Sequence, residues 1–174
     1  MSDKAVAVLD YIFKPEDRLL LDANILLFLY GPGSPRDSRA RDYSRAYKRM
    51  LEANSQIYVD VLVVSEFINR YARIKCGSKR NFKRFRQSKA FEPVAGAIAD
   101  AMRRILKHCK RIRNGFEALQ INPLLDEYAK GNSDFNDQVI ASICKRERLK
   151  LVTDDSDFSG KGIRVLTANR NLLN

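Results

Sequence analysis

Histidine is almost missing from this chain. The one present, His108, lies among Lys107, Lys110 and Arg111 with no acid near it in sequence. Ser-His-Asp and Cys-His nucleophiles both need an oriented imidazole, so that class of catalysis is set aside and His108 reads as a solvated residue on a basic helix. Cysteine is scarce as well. Cys76, Cys109 and Cys144 are odd in number and widely spaced, which gives neither a disulfide framework nor a zinc pattern and suits reduced thiols in a cytoplasm. No apolar run reaches membrane-spanning length, because Asp22 and Asn24 break the longest one. The amino end carries Asp3 and Asp10 and lacks the apolar stretch of a secretory signal. The expectation is a cytoplasmic protein with no membrane partner. Low-complexity tracts are absent too, and 174 residues with 45% hydrophobic content suffice to bury one core. Residues 1–174 are therefore expected to form one domain.

Acids are missing from one stretch in particular. Between residues 70 and 113, fifteen Lys and Arg face only Glu92 and Asp100, a local excess of +13 against +11 for the whole chain. A merely solvated face would carry both signs. One segment therefore holds the entire basic character, which points to a polyanionic partner such as nucleic acid. The candidate contacts are Lys79, Arg80, Lys83, Arg84, Arg103, Arg104, Lys107, Lys110 and Arg111. Phe82 and Phe85 interleave with the first of these and read either as base-stacking platforms or, more simply, as core packing.

What is present is organised around residues 18–30. A continuous apolar run, Leu19-Leu20-Leu21, reads as a strand buried on both faces, and helical spacing begins just after Asp22. The carboxyl edge of a parallel sheet is where ligands bind. Asp22 at that edge is either the N-cap of the next helix or a metal ligand, and its position alone leaves both readings open.

Along the rest of the chain the spacing predicts a short leading helix over 4–13, a Gly-Pro break at 31–35, and an amphipathic helix over 38–53 with Arg41 and Arg45 on its polar face. A strand follows at 56–59 and a helix at 61–75, whose greasy first part contains Glu66. A basic, helical excursion at about 76–115 comes next, with a helix over 93–113. A weak strand is expected near 117–121, a helix at 124–129, and another opened by Asp134 and Asp137. Strands at 149–153 and 163–166 flank Asp154, Asp155 and Asp157. Alternating helices and short apolar strands make an α/β fold with a mainly parallel sheet.

Four acids thus stand on four separate elements: Asp22, Glu66, Asp137 and Asp155. Asp22 and Asp137 read singly as residues of helix starts and Asp155 as a turn residue, whereas Glu66 lies in the apolar part of a helix where a lone charge is costly. Together they form an oxygen-only donor set without His or Cys, the chemistry that selects a hard cation such as Mg²⁺ or Mn²⁺.

The pattern resembles the PIN-domain ribonucleases, among them the VapC-type toxins. The resemblance rests on Leu21-Asp22-Ala23-Asn24, on Ser65-Glu66, on Asp137-Gln138-Val139-Ile140-Ala141 and on the run from Leu151 to Phe158, spread over residues 18–167. It implies a three-layer fold with a five-stranded sheet in the order 3-2-1-4-5 and divalent-metal-dependent hydrolysis of RNA. Asp22, Glu66, Asp137 and Asp155 would form the acidic, metal-holding core. Asp157 would be an auxiliary metal ligand, with Asn24 and Thr153 as polar support. It further implies RNA as substrate, a cognate antitoxin as partner and a homodimer. The basic excursion and the extended amino end depart from the compact toxins and favour, as an alternative, a PIN-type RNA-processing nuclease. A non-catalytic nucleic-acid-binding module is the rival from another class; it would be expected to lack some of the acids. A phosphoryl-accepting domain with Asp22 as nucleophile would want a second Asp where Asn24 stands.

Overall fold

Leu19, Leu20 and Leu21 have no exposed surface, as a strand covered on both faces requires. They belong to β2 (Arg18–Leu21) in the computed structural model of the chain, which describes residues 5–33, 37–113, 115–131 and 133–173. The other strands are β1 (Val6–Ala7), β3 (Gln56–Val59), β4 (Lys110–Arg111), β5 (Lys150–Val152) and β6 (Val165–Thr167). All pair in parallel in one sheet of order β1-β6-β5-β2-β3-β4. The helices are α1 (Ala23–Tyr30), α2 (Ser38–Glu52), α3 (Val61–Cys76), α4 (Phe82–Arg86), α5 (Glu92–His108), α6 (Ile121–Ala129), α7 (Phe135–Glu147) and α8 (Arg170–Leu173). Helices α1, α2, α3 and α5 pack on one another and α6 packs on α7, which gives the three layers of an α/β fold. None of the helices among the described residues is long and apolar enough to cross a membrane.

The register decides what reaches the carboxyl edge. Leu21 lies opposite Val152, and Leu20 lies opposite both Leu151 and Tyr58. Asp22, Thr153 and Asp60 therefore leave their strands at one level. Acidic caps then start the helices: Asp22, Asp37, Asp60 and Asp134 each accept a bond from a first-turn amide of α1, α2, α3 and α7.

Four expectations are corrected. The leading helix over 4–13 is instead strand β1 followed by turns, paired with β6 through Val6 opposite Leu166 and continued by the Val8 amide on the Thr167 carbonyl at 2.8 Å. A lone helix of that length is marginal, and here the open edge of β6 offers the backbone partners. Residue 4 itself lies outside the described residues, as do residues 34–36, with the end of the Gly-Pro break, and residue 114 of the excursion. The weak strand near 117–121 is a 3₁₀ turn, Phe116–Ala118, leading into α6. The strand that borders β3 is β4, two exposed charged residues held by backbone pairing opposite Tyr58 and Val59. The sheet accordingly has six strands in the order given above, not five in the order 3-2-1-4-5. The long basic helix ends at His108, five residues before the expected Arg113, because the chain straightens at Cys109 to join the sheet.

Of the excursion, α5 buries Ile98, Ala101 and Ile105 in the same hydrophobic cluster as β2. Phe85 is buried and meets Phe91 edge-on at 5.5 Å, while Phe82 lies under Arg73 at 4.5 Å. Phe85 is thus a packing residue, the simpler of its two readings.

Candidate active site

Asp22 is 4% exposed. Its Oδ1 accepts from the Ala23 amide at 2.6 Å, and its Oδ2 accepts from Asn24 Nδ2 at 2.7 Å and Thr153 Oγ1 at 2.6 Å. It caps α1, as the first of the two readings of its position requires, and is also wired across the sheet to Thr153, just after β5. Thr153 Oγ1 in turn accepts from the Asp155 amide at 3.0 Å, and Asn24 Oδ1 accepts from the Asp154 amide at 3.2 Å. Asn24 and Thr153 fasten Asp22 to the turn at 154–157.

Despite these bonds the Asp22 carboxyl is pushed up to about 6. Burial is the largest cause, and the charges of Glu66 and Asp155 add to it against the Thr153 and Ala23 bonds. Asp137, in the first turn of α7, is pushed up to about 7 by burial and then by Asp155, with Asp134 and Asp22 adding and Lys161 opposing. Asp22 therefore feels Glu66 from α3 and Asp155 from the loop after β5, and Asp137 on α7 feels Asp155 and Asp22. Like charges so arranged raise carboxyl pKa values. Glu66 also pairs with Arg70 at 3.0 Å, one helical turn on. Asp155 caps the 3₁₀ turn Ser156–Phe158 by accepting from the Asp157 amide at 3.0 Å. Asp157 is exposed and contributes to the wall of a separate pocket.

Among the described residues, no three Asp, Glu, His or Cys side chains gather tightly enough to hold a metal ion as they stand. The donor chemistry nonetheless fits a hard divalent cation, because the group is carboxylate oxygen throughout and its mutual repulsion is the term such a cation relieves. Thiolate chemistry does not fit. All three cysteines are buried, and burial pushes Cys109 up to about 11 and Cys144 up to about 12.

A cleft of about 920 Å³ opens beside the acids. Asn24, Asp154 and Asp155 belong to its wall, Leu27, Phe28 and Ile74 give it apolar surface, and Arg39, Arg41, Arg45 and Arg70 line it with positive charge beside Asp37. Arg39 is anchored to Asp154 at 3.1 Å and lies over the Phe28 ring at 5.2 Å. None of the nine basic residues singled out in the sequence borders this cleft. Lys107, Lys110 and Arg111 border a separate depression of about 730 Å³ at the corner of α5 and β4. Arg103 pairs with Asp100 at 2.6 Å, and Arg104 lies over the Tyr30 ring at 5.5 Å. Lys79, Arg80, Lys83 and Arg84 sit on the turn after α3 and on α4.

Sequence reasoning misses two features. Arg41 and Arg45 are recognisable as the polar face of α2, but nothing local says that this face lines the cleft. Tyr43 falls on the apolar face of that helix, yet its hydroxyl lies 3.1 Å from the Thr153 carbonyl and 2.9 Å from Asp154 Oδ1, and it accepts from the Ala168 amide at 2.9 Å. A buried tyrosine that needs a partner for its hydroxyl is the only local signal.

Two solved structures resemble this one. The crystal structure of PAE2754 from Pyrobaculum aerophilum is 14% identical, with 90% of this chain and 93% of that one covered and a TM-score of 0.51. The crystal structure of FitAcB from Neisseria gonorrhoeae is 20% identical, with 85% and 96% covered and a TM-score of 0.47. The first shows the fold, and the second lies too far in geometry to add to it. A comparison with curated proteins finds no match. The sequence profile of the PIN domain matches residues 19–163, which spans all four acids and most of the chain, and the protein belongs to the PIN-domain family.

Proposed function

We propose that the protein is a divalent-metal-dependent ribonuclease that hydrolyses RNA phosphodiester bonds. The observation that carries this reading is the convergence of Asp22, Glu66, Asp137 and Asp155 on one sheet edge. There, burial and repulsion hold Asp22 near 6 and Asp137 near 7, and Asp155 contributes to the wall of an arginine-lined cleft. Mg²⁺ or Mn²⁺, when bound, supplies Lewis-acid stabilisation of phosphate charge and a more acidic water. The chain's own part is threefold. The four carboxylates provide oxygen donors, Thr153 and Asn24 fix the Asp22 carboxylate by the bonds described, and the cleft arginines hold the polyanion. Asp137 or Asp155 is the candidate to accept the proton of the attacking water.

A binding module without catalysis has no need of four acids gathered beside a cleft. The narrower form of the proposal, a VapC-type toxin restrained by a cognate antitoxin and acting as a homodimer, rests on the motifs alone. Rescue by a neighbouring-gene product tests the first part and light scattering the second. The test of the main proposal is cleavage of single-stranded RNA in Mn²⁺ against EDTA, with Asp22→Asn as control. The expected result is metal-dependent cleavage in the parent and none in the variant. A variant that cuts as well as the parent makes Asp22 a cap only and removes the proposal.

A further inference from the structure

The turn at 154–157 is a ridge with a pocket on either side. Asp154, Asp155 and Ser156 face the arginine cleft, whereas Asp157 faces a smaller pocket of about 510 Å³ that shares no residue with the cleft. Ser133, Gln138, Lys145, Lys161 and Gly162 contribute to its wall. Lys161 contacts the Ser133 hydroxyl and stands over the Phe158 ring at 5.7 Å from its centre. Lys145 runs along Gly162, whose φ is +69°. A Cβ at that position would stand 3.2 Å from both Cε and Nζ of the lysine. Glycine supplies the left-handed backbone at 162 and leaves the Lys145 side-chain end in close approach to it.

Neither ammonium has a carboxylate ion-pair partner among the described residues. Of the two acids in the wall, Glu127 pairs with Lys130 at 2.6 Å and Asp157 is exposed. The pocket also adjoins the acids, since Gln138 and Asp157 of its wall lie within two residues of Asp137 and Asp155. Two ammonium groups in a polar hollow next to an acidic centre, whose wall they share with the exposed Asp157, offer a phosphate the N–H donors and positive charge it needs.

We propose that the pocket of Lys145 and Lys161 binds a backbone phosphate of single-stranded RNA, so that the strand crosses the ridge between the arginine cleft and the lysine pocket with the acids beneath it. The identity of the strand as RNA rests on the ribonuclease reading. A groove that tracks the backbone with positive charge is the usual means of holding a single strand. A strand held on both flanks of the ridge presents the intervening phosphate to the acids, which is the positioning that hydrolysis requires.

The experiment is run in EDTA, so that binding is read without cleavage. Anisotropy of a labelled single-stranded RNA is followed over a range of salt for the parent, Lys145→Gln/Lys161→Gln and Lys145→Arg/Lys161→Arg. Losing this one phosphate contact is expected to lower the slope of log K against log salt by about 0.7, and the arginine pair is expected to keep the parent slope. An unchanged slope in a glutamine variant that melts like the parent overturns the pocket. A second measurement uses the parent alone: bound RNA is expected to protect Lys145 and Lys161 from amine acetylation read by mass spectrometry. Absence of protection also overturns it, even if the variants do not fold. A protein that shows this protection but never cuts RNA in Mn²⁺ keeps the pocket and loses the ribonuclease reading. One that cuts RNA without protecting the lysines loses only the pocket.

Discussion

Asp22 accepts three hydrogen bonds, and its carboxyl still sits near 6 rather than 3.8. The bonds favour the anion, while burial and the charges of Glu66 and Asp155 oppose it more strongly. The folded protein therefore holds this proton more tightly than the unfolded chain does. The resulting stability is full below about 4 and is lost as pH rises through about 6, by on the order of 3 kcal/mol at most. Asp137 extends the window to about 7. In Asp22→Asn the pH-dependent term disappears, whereas the cost of pointing an amide at the Asn24 and Thr153 donors is the same at every pH. Melting in EDTA is therefore expected to show the parent losing ground to the variant between pH 5 and pH 8. Parallel melting curves over that range would mean that the carboxyl is not strained. The capping role of Asp22 is legible in the sequence from its place between a buried strand and a helix. The wiring through Thr153 is not, since it depends on the register of two strands separated by more than a hundred residues.

Helix α2 is tied to the loop after β5 and to the end of β6 by one side chain. The Tyr43 hydroxyl touches the Thr153 carbonyl, Asp154, Thr167 Oγ1 and the Ala168 amide, and burial pushes it well above the usual tyrosine range. Tyr43→Phe leaves several of these buried groups unpaired, at about 1–3 kcal/mol. It also frees the turn that carries Asp155. Melting temperature and cleavage rate are both expected to fall in this variant, with RNA affinity in EDTA nearly unchanged because Tyr43 does not line the cleft. A variant that loses affinity and keeps its rate would place Tyr43 in substrate binding instead. Elements with strong patterns are legible in the sequence: β3 begins and ends where the alternation does, and α3 and α7 begin at their aspartate caps. Strands β1 and β4 are not, for a common reason. Each has two residues and lies at an edge, where backbone pairing rather than side-chain burial makes the strand, so no period-2 pattern is written into it.

On the whole molecule, composition locates the excess positive charge but not the cleft. The run over 70–113 supplies most of the net charge, yet the cleft takes Arg39, Arg41 and Arg45 from α2 and only Arg70 from that run. A charge count along the chain cannot see which helix faces a sheet edge, whereas the fold can. The two basic regions are expected to differ in what they do to RNA. Arg41→Gln/Arg45→Gln removes charge beside the acids, so it should lower the salt slope by about 1.4 and slow cleavage of short and long RNAs alike. Neither arginine is buried, so the fold should tolerate the change. Replacing Arg103, Lys107, Lys110 and Arg111 by Gln alters a surface that does not border the cleft. Those four are expected to matter only for RNAs long enough to extend beyond it, lowering their affinity while leaving the cleavage rate of a short oligonucleotide as in the parent. The check is a comparison of both variants on a short and a long single-stranded RNA, with rates in Mn²⁺ and affinities in EDTA. If the four-residue variant slows cleavage of the short strand and the cleft variant does not, the scissile phosphate approaches the acids over α5, and the arginine cleft is not the path.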